Sequence, residues 1–399
     1  MITVEQAQQI ISAQIRDFGT EQVGLEQSMG RILRENLYAD RDLPPYNRVS
    51  MDGIAIRYED FASGTRSFPI QGIAPAGSPQ QELQQAAACL EVMTGSILPL
   101  GTDTVIRYED LDISDQQARI QLDELRNKQN VHRKGMDRQK GELLAASGKK
   151  MSPAEVGLAA TVGKAQLLVS RLPSVVVIST GDELVEVNQQ PLPHQIRRSN
   201  IHRLVAGLKP FGIKAEQRHL KDDLEEVIEE LSQLLEAFDV LILSGGVSKG
   251  KYDYVPEALD RLKVEKLFHR VKQRPGKPFW FGVAPSGARV FALPGNPVSS
   301  FMCSCRYMLP WLRASLGQHP VMRWKATLAS DIHFKPDLTY FAQVKLSTNE
   351  QGVLEAEPIE GNGSGDLANL VEADGFLELP RGKDVYSKGE THSFWPYRM

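Results

Sequence analysis

The spacing of apolar residues changes its period along the chain and so predicts several domains. Residues 3–18 begin with capping-box spacing and continue with apolar residues at helical intervals, which predicts an amphipathic helix. A second helix is predicted over 26–37. Short alternating segments cut by Gly, Pro and Asp then predict a β-rich domain at 41–131. Because helical patterns flank it on both sides, we interpret it as an insertion into a discontinuous helical N-terminal domain of residues 1–40 and 132–172.

From Ser174 the pattern changes to strand, helix, strand, helix. Unbroken apolar runs such as SVVVIST and DVLILS predict buried strands, and the stretch 222–238 is strongly amphipathic. These elements predict a doubly wound α/β domain over 173–320, whose ligand should bind at the carboxyl ends of the strands. Residues 321–399 return to short alternating strands and predict a small C-terminal β-barrel domain. The expected fold class is therefore multidomain, α/β plus β.

Composition narrows the function classes. The chain has 399 residues, of which 41% are hydrophobic and 24% charged, and a net charge of −4, values typical of globular proteins. This balance argues against general binding to nucleic acid or to a membrane surface. Three cysteines provide no disulfide framework, and no apolar stretch reaches membrane-spanning length. We therefore expect a cytoplasmic protein with no nucleic-acid or membrane partner.

The run Val240–Leu243 ends in Ser244, Gly245 and Gly246, which predicts a buried strand closed by a tight turn. Glycines permit backbone angles that direct consecutive N–H groups into one hollow, and such a hollow suits a phosphate or another oxyanion. Asp253 follows, where a carboxylate could hold a metal ion or a water beside the anion. An ordinary strand-to-helix turn remains the alternative.

Further acids follow the other predicted strands, namely Asp182, Glu183, Asp222 and Asp223. Carboxylates around an anion site indicate magnesium, because a hard cation can bridge carboxylate and phosphate oxygens. Asp222 and Asp223 also open a predicted helix, so helix capping is their alternative explanation.

Basic residues provide the counterpart. Arg270, Lys272 and Arg274 alternate, which on a strand places them on one face, and the Pro-Gly turn that follows presents Lys277. A solvated strand face is the alternative. The segment LPGNPVSS directly after a predicted strand is a second candidate oxyanion cradle. Zinc-ligand spacing and a Walker lysine loop are absent from the sequence, so these residues predict a protein that acts on an oxyanionic ligand with magnesium.

Eight motifs, taken in order, resemble those of the molybdopterin molybdenumtransferases, the MoeA family that includes the gephyrin E domain. They are SMDGIAIR, VMTGSILPLGTDTV, KGMDRQKG, ISTGDELV, IRRSN, SGGVSKGKYDY, RPGKPFWFG and LPGNPVSS. The resemblance implies a transferase of molybdenum cofactor biosynthesis, which inserts molybdate into adenylylated molybdopterin with Mg²⁺-dependent cleavage of the adenylate and release of AMP. It also implies a molybdopterin-binding α/β third domain, a homodimer and molybdopterin adenylyltransferase as the upstream partner. A non-catalytic dimeric scaffold, or an insertase for tungstate, remains the alternative.

The resemblance also implies residue roles. Asp52 and Asp137 match acids that reach the cleft across the dimer, whereas Glu183, Asp222 and Asp253 match acids around the pterin phosphate and magnesium. Asp253 is the acid we connect most directly to adenylate cleavage. The expected substrate-binding residues are Thr94, Gly95, Ser244, Gly245, Gly246, Ser248, Arg270, Arg274, Lys277, Pro294, Asn296, Ser299 and Ser364, of which the two serines Ser299 and Ser364 match positions associated with molybdate.

Position 343 departs from the family pattern. The resemblance places an arginine two residues after Phe341, but this chain has Gln343 there. A neutral amide does not supply positive charge to molybdate. Lys345 is a nearby basic residue that could compensate.

Overall fold

The computed structural model describes residues 1–248, 253–319, 324–361, 363 and 365–398. The chain forms two compact units, the larger from Met1–Arg34, Ser147–Ser152 and Gln166–Met399, and the smaller from Glu35–Ala146 and Pro153–Ala165. The domain bounds drawn above from the sequence remain a prediction. Within the described ranges, no helix is both long and apolar enough to cross a membrane.

The smaller unit is built on a curled six-stranded sheet, as the short alternating segments predicted. Its strands are, in spatial order, Thr104–Arg107, Gly53–Ile56, Cys89–Val92, Ser67–Ala74, Gln117–Ile120 and Leu111–Ser114. Two short pairs join Arg48–Val49 to Val131–His132 and Leu37–Tyr38 to Leu143–Ala145. The helical elements are Tyr58–Ala62, Tyr108–Asp110 and Pro153–Thr161. Ile54, Phe68 and Ile106 are fully buried in its core.

The larger unit begins with the predicted helix, Val4–Ala13, and the expected capping box is present between Thr3 and Gln6. The strand Thr20–Gly24 then pairs antiparallel with Gln166–Ser170.

The helix predicted over 26–37 is wrong. Only the single 3₁₀ turn Glu26–Ser28 forms there, because Gly30 has a φ of 79°, outside the helical region. The backbone of the next residues makes bridges to distant segments, Ile32 to Lys150 and Leu33 to Val169. Pairing with distant strands therefore overrides the local helical preference.

The α/β part of the larger unit holds a six-stranded sheet, which we call the central sheet. Its strands are, in spatial order, Glu216–Leu220, Val175–Thr180, Val240–Ser244, Arg289–Leu293, Trp280–Val283 and Glu265–His269. The first four strands are parallel, and Trp280–Val283 runs antiparallel to both of its neighbours, Arg289–Leu293 and Glu265–His269. The helices of this part are Asn200–Leu208, Lys209–Phe211, Leu224–Ala237 and Val255–Arg261, and a short parallel pair joins Leu184–Val185 to Ile196–Arg197.

Both faces of the central sheet are covered, which explains its unbroken apolar strands. Ile178, Leu241 and Leu243 enter one buried cluster, whereas Ile242 and Phe291 enter another. Every residue of Val240–Ser244 is buried, as predicted. The carboxyl ends of the four parallel strands meet at one edge, so the loops that follow them lie side by side.

The C-terminal part begins with a helical run of Pro297–Cys303, Ser304–Met308 and Leu309–Ser315. A small closed barrel follows, built from Thr339–Thr348, Leu354–Pro358, Trp324–Leu328, Thr391–Pro396 and Gly375–Leu379, and it closes because the last of these strands pairs back with the first. Gln273–Arg274 adds a short parallel strand, Ile332–His333 pairs with Val385–Tyr386, and Asn369–Glu372 forms a helical turn. The predicted C-terminal β-barrel is therefore confirmed.

Candidate active site

A cavity of about 530 Å³ opens at the carboxyl-end edge of the central sheet, and we call it the strand-end cavity. The loops after Val175–Thr180, Val240–Ser244 and Arg289–Leu293 line it. Many of the residues singled out from the sequence line it together, namely Glu183, Asp222, Ser244, Gly245, Gly246, Ser248, Asp253, Pro294 and Asn296. This size is typical of small-molecule sites.

The glycine turn shapes one wall of this cavity. Gly245 and Gly246 have φ values of 107° and 66°, and a Cβ atom at either position would lie 2.8 Å from the Thr180 hydroxyl oxygen. Glycine is therefore required at both positions by backbone angle and by space. One expectation is wrong: the Gly245 N–H donates to the Leu293 carbonyl oxygen at 3.2 Å and does not point into the hollow. Sheet pairing extends one residue further than the apolar run suggested.

The acids at this edge influence one another. The Asp182 N–H donates to the Asp222 carboxylate at 3.4 Å, and the Asp222 N–H donates to Asp182 at 3.2 Å, so the two loops are connected. Burial raises the pKa of Asp222 above its ordinary value. The neighbouring carboxylates of Asp182, Glu183 and Asp253 raise that pKa further, against the lowering effect of the Asp182 N–H. The negative charge that accumulates here favours a cation.

These carboxylates do not form a closed metal cage. No group of three or more His, Cys, Asp or Glu side chains in the described ranges is arranged to hold a metal ion. Magnesium commonly retains several waters and binds one or two carboxylates together with substrate phosphates. The donor set therefore fits magnesium held jointly with a phosphate, and its oxygen chemistry suits that ion.

Asp223, in contrast, is a helix cap. Its carboxylate accepts hydrogen bonds from the N–H groups of Glu225 and Glu226 at 3.1 and 2.9 Å, at the start of Leu224–Ala237. The capping alternative thus holds for Asp223, whereas Asp222 lines the strand-end cavity.

Asn200 connects three loops around the cavity. Its side-chain NH₂ donates to the Ser244 hydroxyl at 2.9 Å and to the Gly295 carbonyl at 2.7 Å. Asn200 is the first residue of the helix Asn200–Leu208, and its side chain is used for these contacts. Sequence reasoning assigned no site role to the following cavity-lining residues: Thr180, Arg197, Arg198, Ser199 and Asn200. The motif IRRSN was the available signal for most of them.

A second cavity of about 310 Å³ shares Pro278 and Asn296 with the first, and we call it the basic cavity. Arg274, Lys277 and Ser299 line it. The turn that presents Lys277 is fixed from inside by Gln273, which is fully buried and donates to the Gly276 carbonyl at 2.9 Å. The basic and acidic residues predicted from the sequence thus lie on adjoining cavities.

Arg270 is placed differently from our expectation. It has a φ of 79° and lies between the strands Glu265–His269 and Gln273–Arg274. Its N–H donates to the Phe279 carbonyl, and its own carbonyl accepts from the Ile2 N–H, so the chain turns there. The prediction of three basic residues on one strand face is therefore wrong, and Arg270 lines neither cavity. Ser364 lies outside the described residues.

Gln343 lies on the wall of the basic cavity. Its Oε1 atom is buried and has no hydrogen-bond partner in the part of the chain that the structure describes. The basic residues that share this cavity with it are Arg274 and Lys277. Among the described residues, positive charge for an oxyanion in this cavity therefore comes from those two side chains, because Lys345 is not part of the wall.

Two of the predicted acids belong to the smaller unit. The Asp52 carboxylate accepts from the backbone N–H and the hydroxyl of Thr94 at 2.6 and 2.7 Å, which lowers the pKa of Asp52. Gly95 follows with a φ of 88°. Asp137 contacts the His132 ring nitrogen Nε2 at 2.8 Å. Asp52 is thus held in a fixed orientation with its charge maintained.

The fold and the cavities define a multidomain α/β protein with two adjoining cavities, lined by acids and by basic residues, at the edge of a parallel sheet. Comparison with known families identifies it further. The family described as MoeA N-terminal region (domain I and II) matches residues 2–163, a probable molybdopterin binding domain matches 176–314, and the MoeA C-terminal region (domain IV) matches 325–397. The chain belongs to the molybdopterin molybdenumtransferase (MoeA) family.

Individual relatives agree with this assignment. The chain is 41% identical over 400 residues to the molybdopterin molybdenumtransferase of a Synechocystis species, covering 100% of each chain. It is 31% identical over 397 residues to the enzyme of the same name from Staphylococcus aureus, covering 98% of this chain and 94% of that one. Its structure superposes on the molybdopterin biosynthesis MoeA protein of Pyrococcus horikoshii with a TM-score of 0.84, 26% identity and full coverage of both chains.

Proposed function

We propose that this protein inserts molybdate into adenylylated molybdopterin with magnesium-dependent cleavage of the adenylate, which releases AMP and the molybdenum cofactor. The observation that carries the proposal is the adjacency of two unlike cavities. The strand-end cavity holds three acids, Glu183, Asp222 and Asp253, beside Arg197 and Arg198. The basic cavity, with Arg274 and Lys277 and no acid among its described lining residues, shares Asn296 with it. A substrate whose phosphate anhydride is cleaved at one end, while a separate oxyanion, molybdate, is inserted at the other, needs both environments.

Different residues of the chain have different roles in this proposed reaction. Glu183, Asp222 and Asp253 would hold magnesium, which supplies positive charge to phosphate oxygens. The glycine turn lets the substrate approach the backbone closely, and Asn200 keeps the loops at Ser244 and Gly295 in register. Arg274 and Lys277, whose side chains are exposed, attract molybdate.

The test is AMP release from adenylylated molybdopterin by the full chain, with and without molybdate. We expect release that depends on both molybdate and magnesium. Asp253→Asn is expected to lower the rate sharply with little change in melting temperature, since loop substitutions of this kind rarely cost much stability. Asp260→Asn, the same substitution at an exposed position of Val255–Arg261, is the matched control and should retain the rate. Tight substrate binding with no release in any condition would refute the proposal and favour a scaffold.

We further propose a cytoplasmic homodimer that receives its substrate from molybdopterin adenylyltransferase. The support is the family assignment, together with the carboxylates of Asp52 and Asp137 in the smaller unit, which the resemblance assigns to the partner's site. Mixing inactive Asp52→Asn and Asp253→Asn proteins tests this arrangement. Random mixing should restore about a quarter of the wild-type rate, because half of the dimers are hybrids with one intact site. No recovery, despite subunit exchange, would contradict it.

A further inference from the structure

A third cavity, also of about 530 Å³, lies in the larger unit and shares no lining residue with the strand-end cavity or the basic cavity. We call it the arginine cavity. The helices Asn200–Leu208 and Leu309–Ser315, the turn Lys209–Phe211 and the segment 30–32 contribute to its wall. It is as large as the strand-end cavity, and its volume is within the range of small-molecule sites.

Its wall has charge of one sign. Arg31, Lys150, Arg203 and Arg313 line it, and no acidic residue is among the lining residues. Arg31 forms an ion pair with Glu21 at 2.5 Å. Arg313 has no side-chain hydrogen bond or ion pair with any described residue. The whole chain has a net charge of −4, so the positive charge around this cavity is a local accumulation.

Arg203 is placed similarly without a counterion. Its Nε and Nη1 atoms are buried and have no hydrogen-bond partner among the described residues. Burial lowers the pKa of Arg203 to about 10, and burial also lowers the pKa of Arg313. The nearby Cys305 thiol supplies no charge at neutral pH, since burial raises its pKa to about 12. Buried cations without an anion are energetically costly, so a bound anion would stabilise this part of the protein.

The same wall is apolar and aromatic. The Arg313 Cζ atom lies 5.6 Å from the centre of the Phe211 ring, and the Arg203 Cζ atom lies 4.9 Å from the centre of the Phe301 ring. Leu309 and Leu316 complete this surface. A ligand that fits therefore needs an apolar body in addition to its negative charge.

Arg203 also contacts the loop at the strand-end cavity. Its Nη2 atom donates to the Pro297 carbonyl at 2.7 Å and to the Asn200 side-chain oxygen at 2.9 Å. Pro297 and Asn200 both line the strand-end cavity. Arg203 thus lies between the arginine cavity and the strand-end cavity, and it holds residues that line the strand-end cavity.

We propose that the arginine cavity is a binding site for a small organic oxyanion with an apolar or aromatic body, such as an aromatic carboxylate, sulfonate or phosphate ester. Arg313 pairs with the oxyanion and the Phe211 and Phe301 side of the cavity receives the body. This assignment does not depend on the proposed reaction.

The test uses 8-anilinonaphthalene-1-sulfonate, an aromatic oxyanion whose fluorescence increases on binding, titrated into the full chain. N-phenyl-1-naphthylamine has the same ring body without the sulfonate and is the matched probe. We expect saturable binding of the sulfonate at one site and much weaker binding of the neutral amine. Arg313→Gln should raise the dissociation constant of the sulfonate by about tenfold or more, the effect of losing one charged hydrogen bond.

Two further variants locate the binding. Ala206→Phe keeps all four cations but fills the arginine cavity, so it should abolish binding of the sulfonate. Lys277→Gln, in the basic cavity, should leave binding of the sulfonate unchanged. Melting temperatures of all variants establish that they fold. The proposal is overturned if folded Arg313→Gln and Ala206→Phe proteins bind the sulfonate as the wild type does. It is equally overturned if the sulfonate does not bind, binds no better than the amine, or is lost in Lys277→Gln.

Discussion

Replacing Asp222 by asparagine should raise the melting temperature slightly and weaken the response to magnesium. The reason is that Asp222 lies among the carboxylates of Asp182, Glu183 and Asp253, which raise its pKa by repulsion in addition to burial. Removing one of four neighbouring negative charges relieves that repulsion in the absence of a cation. The asparagine side-chain oxygen can still accept the 3.4 Å hydrogen bond from the Asp182 N–H, so the loop connection is retained.

The size of the effect follows from exposure. Asp182 and Glu183 are exposed and Asp222 and Asp253 are half-buried, so each repulsive pair contributes about 0.2–1 kcal/mol. We expect the free energy of unfolding to rise by about 0.5–1 kcal/mol, which in a chain of this length corresponds to an increase in melting temperature of about 0.6–1.2 °C. Magnesium at about 100 times its dissociation constant stabilises the wild type by about 2.7 kcal/mol. Loss of the Asp222 carboxylate as a magnesium ligand should remove most of this stabilisation by magnesium.

The assay is thermal unfolding with and without magnesium, in the presence of AMP to supply the phosphate. Asp223→Asn is the matched control, because it removes one negative charge at the adjacent position and asparagine caps helices as well as aspartate does. It should leave the magnesium increment unchanged. It should lower the melting temperature slightly, since a negative charge favours the N-terminus of Leu224–Ala237.

The reasoning would be refuted by a particular pair of results. If Asp222→Asn melts below the wild type without magnesium, repulsion among the acids is not what dominates there. If both variants lose the magnesium increment equally, the general charge of the region matters, and Asp222 has no specific role as a ligand.

Three other perturbations test separate parts of the molecule. Glu378→Gln should lower the free energy of unfolding by about 3 kcal/mol, because it leaves the buried Arg306 without the carboxylate that lies 2.8 Å away. Urea unfolding measures this change, and an unchanged midpoint would contradict the prediction. Burial and the charge of Arg198 lower the pKa of His219, so the unfolded chain takes up the proton first and stability is lost as the pH falls below about 6.5. His219→Gln should therefore lose less melting temperature than the wild type between about pH 7.5 and 5.5, and parallel losses would exclude this histidine. Gln343→Arg should lower the molybdate concentration needed for half-maximal AMP release, with tungstate as competitor, and an increase would show that the amide is adapted to this cavity.

Much of the fold could be predicted from the sequence because the relevant signals are local. The capping box at Thr3, the apolar run of Val240–Ser244 and the amphipathic helix Leu224–Ala237 each record their environment in neighbouring residues. The errors arose where distant pairing decides the backbone. The stretch after Gly30 pairs with remote strands. Arg270 adopts a positive φ, which cannot be predicted from the sequence because the residue is not a glycine.

The candidate site shows the same division. Consecutive parallel strands must end at the same edge, so acids that follow them converge whatever the details of the loops. Topology alone therefore predicts that Glu183, Asp222 and Asp253 share a cavity, as they do. Which acid caps a helix and which faces the cavity depends on the position of a single turn, and only the structure separates Asp222 from Asp223.

The arginine cavity could not be predicted from local sequence patterns or from the topology of the sheet. Arg31, Arg203 and Arg313 come from three separate segments of the chain, and none of the three has the spacing of a motif. Each would be interpreted from the sequence as an ordinary surface cation. Their convergence is produced by packing of the helices Asn200–Leu208 and Leu309–Ser315 beside the segment 30–32, and the absence of acids among the lining residues becomes visible only after that packing. Uncompensated charge inside a folded protein is a tertiary property, and for that reason it indicates a ligand where sequence patterns give no signal.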